Sequence, residues 1–137
     1  MTTVLYLDAS IFLYPALQSD AKAARAAEIL RDVAAGDEQA TTSSLTFDEV
    51  VWKIRQRFGR ETALQAADNF LAIPNLRIAA VAIEHLRSAR DLMARYARLD
   101  PRDAIHAAVA LSVSAKKIAS DDADFEGIAG LPRLSLD

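Results

Sequence analysis

The chain has 137 residues, enough for one domain with a continuous buried core, and its 52% hydrophobic and 26% charged content is that of a folded protein rather than a disordered one. It has no cysteine, which excludes a disulfide framework, a thiol nucleophile and any cysteine-ligated zinc site. A net charge of -3 argues at first against a nucleic-acid partner.

Residues 4–7 are a short apolar run closed by Asp8 and read as a buried parallel strand. No basic segment or small-residue cleavage site precedes them, so no signal peptide is expected. No apolar run reaches the ~20 residues a membrane span needs, which makes a cytoplasmic location the expectation. A helix is expected to begin near Ser10. Ser19-Asp20 starts another, with Ala24, Ala27, Leu30 and Val33 on its inner face and Gly36 as its stop. Residues 39–42 form a second strand. Thr46 opens a helix with Phe47, Val50, Val51, Ile54 and Phe58 facing inward, and Gly59 ends it. Residues 61–73 are helical up to Pro74, and residues 76–81 form a strand. Ile83, Leu86, Leu92, Met93 and Tyr96 mark a long amphipathic helix. Asp100-Pro101 starts the next, with proline at the first helical position where its missing N–H costs nothing. Residues 117–119 and 134–136 complete the strands. Strands alternating with helices imply a parallel sheet covered on both faces, whose functional groups gather outside the carboxyl ends of the strands.

Acidic residues fall at those ends. Asp8 follows the first strand, and Asp121-Asp122 follow residues 117–119 after Ser120. Each acid also has an ordinary structural use. Asp8 could cap the helix after it, although Ser10 could do so in its place. Thr46 and Glu49 have the spacing of a capping box. Asp103, three residues after Asp100, lies where a helix dipole favours negative charge. One or two acids of Ser120-Asp121-Asp122-Ala123-Asp124-Phe125 would cap a loop or face solvent. The three acids together would repel one another unless cations or basic side chains compensate, and three strand-end or helix-start positions converging on one sheet edge go beyond what capping alone explains. Hard cations such as Mg²⁺ take carboxylate oxygens. Setting aside Asp8, Glu49, Asp103, Asp122 and Asp124 leaves 14 acidic residues against 16 basic ones, an acidic pocket on a mildly basic body.

Four segments carry a resemblance: Leu7-Asp8-Ala9-Ser10-Ile11-Phe12, Leu45-Thr46-Phe47-Asp48-Glu49-Val50, Asp100-Pro101-Arg102-Asp103-Ala104-Ile105-His106-Ala107-Ala108 and Ser120-Asp121-Asp122-Ala123-Asp124-Phe125. In order and spacing they resemble the acidic blocks of PIN-domain ribonucleases, and among these the VapC-type toxins of type II toxin–antitoxin pairs. The resemblance implies one PIN domain over residues 1–137, a three-layer α/β/α sandwich with a mainly parallel central sheet. It implies Mg²⁺, with Mn²⁺ as a substitute, endonucleolytic cleavage of RNA, a homodimer, and inhibition by a VapB-type antitoxin. By motif position Asp8, Glu49, Asp103 and Asp122 are the catalytic acids. Asp8 and Asp103 then bind metal directly, Asp122 directly or through water, and Glu49 positions a water or a second ion. Asp124 supports the set, Asp121 is variable, Ser120 stands where the family commonly has threonine, and Ser10 neighbours the first acid.

Among the remaining residues, His106 lies one turn after Asp103 and is expected to be a packed or hydrogen-bonded histidine near the site. Arg102 is the one arginine expected to touch phosphate; the others read as solvated helix faces. Trp52, Phe47 and Phe58 read as core or as partner-covered surface. Exposed parts of residues 11–14 would suit an antitoxin segment. Two other readings fit less well. A haloacid-dehalogenase-like phosphatase also begins with a strand ending in aspartate, but needs an acid where this chain has Ser10. A non-catalytic PIN-like binding module is disfavoured by the intact acidic set.

Overall fold

The structure is a computed structural model describing residues 4–137, so residues 1–3 of the expected domain, and the expectation that no leader segment lies there, fall outside the described residues. The elements in chain order are β1 (Val4–Leu7), α1 (Ala9–Leu17), α2 (Ala21–Ala35), β2 (Gln39–Ser43), α3 (Ser44–Phe58), α4 (Arg60–Leu71), β3 (Leu76–Ala79), α5 (Ile83–Arg95), α6 (Pro101–Ser112), β4 (Lys117–Ala119), a single 3₁₀ turn (Ala123–Phe125) and β5 (Arg133–Leu134). The five strands form one sheet in the order β3-β2-β1-β4-β5, and every pairing is parallel. The fold is therefore α/β, with helices on both faces of a parallel sheet.

Strand alternation distributes the core between those faces. Leu5, Leu7 and Ala119 join the apolar cluster under α1, α2, α3 and α4, while Tyr6 and Ile118 join the cluster under α5 and α6. The helix α6 is rich in alanine, which lets its backbone lie close to the strands: Ala104, Ala107, Ala108 and Ala110 are all buried. No described helix is long and apolar enough to cross a membrane.

Several local expectations are corrected. The buried stripe of α2 is Ala23, Ala26, Ile29 and Val33. Alanine marks a face weakly, and the stripe follows Ile29, leaving Ala24 exposed. The helix α3 begins at Ser44, two residues before Thr46, because Thr46 is drawn into the core, its Oγ1 2.8 Å from that of Thr42. Phe58, at the end of α3, is 48% exposed, and Ile83 and Leu86 of α5 are also exposed. The third strand stops at Ala79 and the last is Arg133–Leu134.

Candidate active site

Sheet register positions the first components. Leu7 pairs with Ala119, and Asp8 N–H donates to the Ala119 carbonyl across 3.2 Å. The next residues, Asp8 and Ser120, thus leave adjacent strands side by side at the carboxyl edge. Ser120 Oγ–H donates to Asp8 Oδ2 at 2.6 Å, and the same Oγ accepts the Asp122 N–H at 3.0 Å. One buried hydroxyl joins the first acid to the last acidic block.

Asp8 caps α1 itself. Its Oδ1 accepts the Ser10 N–H at 2.9 Å and the Ser10 hydroxyl at 2.5 Å. Ser10 is therefore not the cap but a donor to it. Asp8 is buried, and burial pushes its carboxyl above the usual carboxylate range, opposed by His106 and by the Ser10 and Ser120 hydroxyls.

Asp103 stands in the first turn of α6, where Asp100 is the cap and its carboxylate accepts the Asp103 N–H at 2.8 Å. The side chain of Asp103 is left free for another use. Carboxylate oxygens of Asp103, Asp122 and Asp124 all lie within 4.8 Å of one another. Burial, then the charges of Asp100, Asp122 and Asp124, push the Asp103 carboxyl up to about 7. Asp122 also caps the 3₁₀ turn through the Asp124 N–H at 2.9 Å. The loop is braced from outside by Arg98, whose guanidinium donates to the carbonyls of Asp124, at 2.9 Å, and Glu126.

Asp121 points elsewhere. Its Oδ2 accepts the Tyr14 hydroxyl at 2.5 Å and its Oδ1 lies 2.9 Å from Lys22 Nζ. Burial works against its charge, yet Tyr14 and Lys22 together hold the carboxyl below the usual range. This aspartate ties the last acidic loop to α1 and α2.

Glu49 is not part of a capping box, since α3 starts at Ser44 and puts it in the second turn. Its Oε1 is hydrogen-bonded to His106 Nε2. His106 is 2% exposed and its Nδ1 lies 2.7 Å from Tyr6 Oη, consistent with a packed, hydrogen-bonded histidine. The close set of three thus contains Asp124, expected only to support; Asp8 is linked to Asp122 through Ser120, and Glu49, bonded to His106, lies outside the set. Sequence reasoning passed over Tyr6 and Ser43. Strand alternation was the available signal for Tyr6, which turns to the opposite sheet face from Leu5 and Leu7. Beside Glu49 an open groove is lined by Leu13, Asp48, Trp52, Lys53 and the exposed Arg102. Trp52 is 57% exposed, so it is surface and not core.

The donor set fits a hard divalent cation: clustered carboxylate oxygens, no sulfur, and an acid whose carboxyl is pushed up to about 7 by burial and by like charges that a cation would offset.

Comparison with known proteins agrees with this architecture. The chain is 27% identical over 134 residues to the protein named Ribonuclease VapC13 of Mycobacterium tuberculosis, covering 96% of this chain and 100% of that one. A protein of Mycobacterium bovis named as a VapC ribonuclease matches to the same extent. Among solved structures, VapBC2 of Rickettsia felis, bound to a DNA fragment from its promoter, superposes with a TM-score of 0.76 at 16% identity, covering 97% of this chain and 98% of that one. VapC20 of M. tuberculosis, described as a Sarcin-Ricin loop cleaving toxin, gives 0.73 at 20% identity, covering 93% and 98%. The PIN domain family model matches residues 5–131, and the chain belongs to the PIN domain family.

Proposed function

We propose that this protein is a divalent-metal-dependent endoribonuclease, the VapC-type toxin of a toxin–antitoxin pair. The observation that carries the reading is the convergence of Asp103, Asp122 and Asp124 at the carboxyl edge of the sheet, with Asp8 tied to them through Ser120, in a PIN-family chain. Relatives named as ribonucleases across their full length support the reaction class.

Asp8, Asp103 and Asp122, with Asp124, would hold Mg²⁺ or Mn²⁺. A bound ion supplies Lewis-acid charge for the phosphodiester and lowers the pKa of an attacking water. The protein's own part is orientation. Ser10 and Ser120 hold both oxygens of Asp8, so its carboxylate meets the site in one geometry. Arg98 fixes the loop bearing Asp122 and Asp124. Glu49 accepts from or orients a water, and Arg102 on the rim meets a phosphate of the RNA.

A VapB-type antitoxin is the proposed partner, supported by the toxin–antitoxin complexes among the structural neighbours. The surface with room for an apolar segment of it is the groove lined by Phe12, Ala16, Leu30, Val50, Phe70 and Ile73. A homodimer is the proposed assembly, for which Ile83 and Leu86, exposed three residues apart on α5, offer apolar surface.

The test is RNA cleavage by purified protein in Mg²⁺ or Mn²⁺. Wild type should cut, and Asp8→Asn and Asp103→Asn should be folded and inactive. Magnesium-dependent cleavage retained by Asp8→Asn would refute the reading. Turnover of a simple phosphate monoester without RNA cleavage would favour a phosphatase, and calorimetry showing no Mn²⁺ binding would favour a binding module.

A further inference from the structure

Behind the acids runs a buried polar chain that the proposed chemistry does not use. Tyr6 lies two residues before Asp8, and the alternation of β1 turns it to the face covered by α6. Its Oη lies 2.7 Å from His106 Nδ1 and 2.9 Å from Ser43 Oγ. Tyr6, Ser43 and His106 are all buried. The far nitrogen of the ring, Nε2, is bonded to Glu49. A single imidazole therefore links β1, the end of β2, α3 and α6.

We infer that His106, oriented by Tyr6 and Ser43, is a positioning residue that holds the Glu49 carboxylate in its working place; this rests on the reading of Glu49 as part of the nuclease site.

A core histidine serving only packing has no need of this pattern, in which both ring nitrogens meet side chains from other elements and one of them is an acid at the site. An ionised carboxylate only accepts, so Nε2 carries a proton. The rest of the chain accommodates the ring with or without a second proton. Tyr6 can donate to a bare Nδ1 while Ser43 donates to Tyr6, or accept from a protonated Nδ1 while donating to Ser43. The Nε2–H directed at Glu49 is common to both arrangements. Without it, a glutamate with 23% of its side chain exposed would sample several rotamers. The bond to an ionised acceptor is of the stronger, charge-assisted kind.

The experiment uses the full chain and an RNA that the wild type cuts, with kcat and KM measured separately. His106→Leu should lower kcat by ~10- to ~100-fold, the scale of a misplacement of about 1 Å, with KM little changed. Tyr6→Phe, which removes only a hydroxyl and keeps the ring in its pocket, should fall in the same direction if the leucine variant does not fold. His106→Gln, which keeps an N–H, should recover part of the loss. In a Glu49→Gln background, His106→Leu should have no further effect. Wild-type kcat in both Tyr6→Phe and His106→Leu, or an undiminished His106→Leu effect in the Glu49→Gln background, would overturn the inference. Long-range ¹H–¹⁵N spectra of the wild-type ring should report a protonated Nε2. A bare Nε2 would overturn the role of His106 alone, whereas a wild type that cuts no RNA counts against the nuclease reading.

Discussion

Asp103→Asn should make the metal-free protein more stable at neutral pH while removing its activity. In the folded state the Asp103 carboxyl is pushed from 3.8 up to about 7 by burial and by Asp100, Asp122 and Asp124. Holding the charged form against that rise costs on the order of 4 kcal/mol. Asp103 is only half-buried, so solvent screening reduces this, and the neutral amide loses ~0.3–1 kcal/mol of interaction with the dipole of α6. The expected net gain is ~1–2 kcal/mol. With an unfolding entropy of ~2.1 cal/mol/K per residue, that raises the thermal midpoint of this 137-residue chain by ~3–7 °C.

The pH dependence follows from proton binding. Between pH ~4 and ~7 the folded state holds the Asp103 proton more tightly than the unfolded state does, so this group favours folding below its unfolded pKa. The contribution is lost as pH rises through about 7, where the charged form must sit among its neighbours. The gap between variant and wild type should therefore be small at pH 4 and full above pH 7. Thermal unfolding followed by circular dichroism in EDTA measures it. Saturating Mn²⁺ should then stabilise the wild type, by ~2.7 kcal/mol at a hundred times Kd, and the variant far less. A variant less stable than wild type at pH 7.5 in EDTA, or a gap independent of pH, would refute crowding of like charges at Asp103.

Asp121 and Asp122 should behave oppositely. Asp122→Asn should cost most of the cleavage with little change in thermal midpoint, whereas Asp121→Asn should keep cleavage within a few-fold. The latter should also lose ~1.5–3 kcal/mol in denaturant melts as its charge-assisted bond to Tyr14 weakens. Ser120→Ala should cost ~1–3 kcal/mol, since it leaves a buried oxygen of Asp8 and the Asp122 N–H without their shared partner. Cleavage should fall with it, and an alanine variant as active and stable as wild type would show that Ser120 does not join the two acids.

Much of the frame was legible in the chain. The run at residues 4–7, Gly36, Gly59 and the Asp100-Pro101 start each mark an element boundary by local stereochemistry that tertiary packing did not change. The capping reading of Glu49 failed because Thr46 is taken by a core hydrogen bond, which moves the helix start back by two residues. Asp8 caps α1 and also bonds Ser120 beside the acidic cluster, so its capping does not remove it from that edge of the sheet. Trp52, Phe58, Ile83 and Leu86 read as inward-facing or partner-covered, and their periodicity could not distinguish a core from a surface.

The sequence by itself determined the alternation of strands and helices, the parallel sheet that this implies, and the strand ends and helix starts at which acids stand, because these depend on periodicity and capping within a few residues. Tertiary structure alone decided that β1 lies between β2 and β4, and hence that Ser120 stands against Asp8 across 112 positions of chain. It also decided that Asp122 rather than Asp121 turns toward Asp103, and that His106 meets Glu49 and Tyr6. Those outcomes depend on register and rotamer, which are set by which distant segments pack together and not by any local pattern.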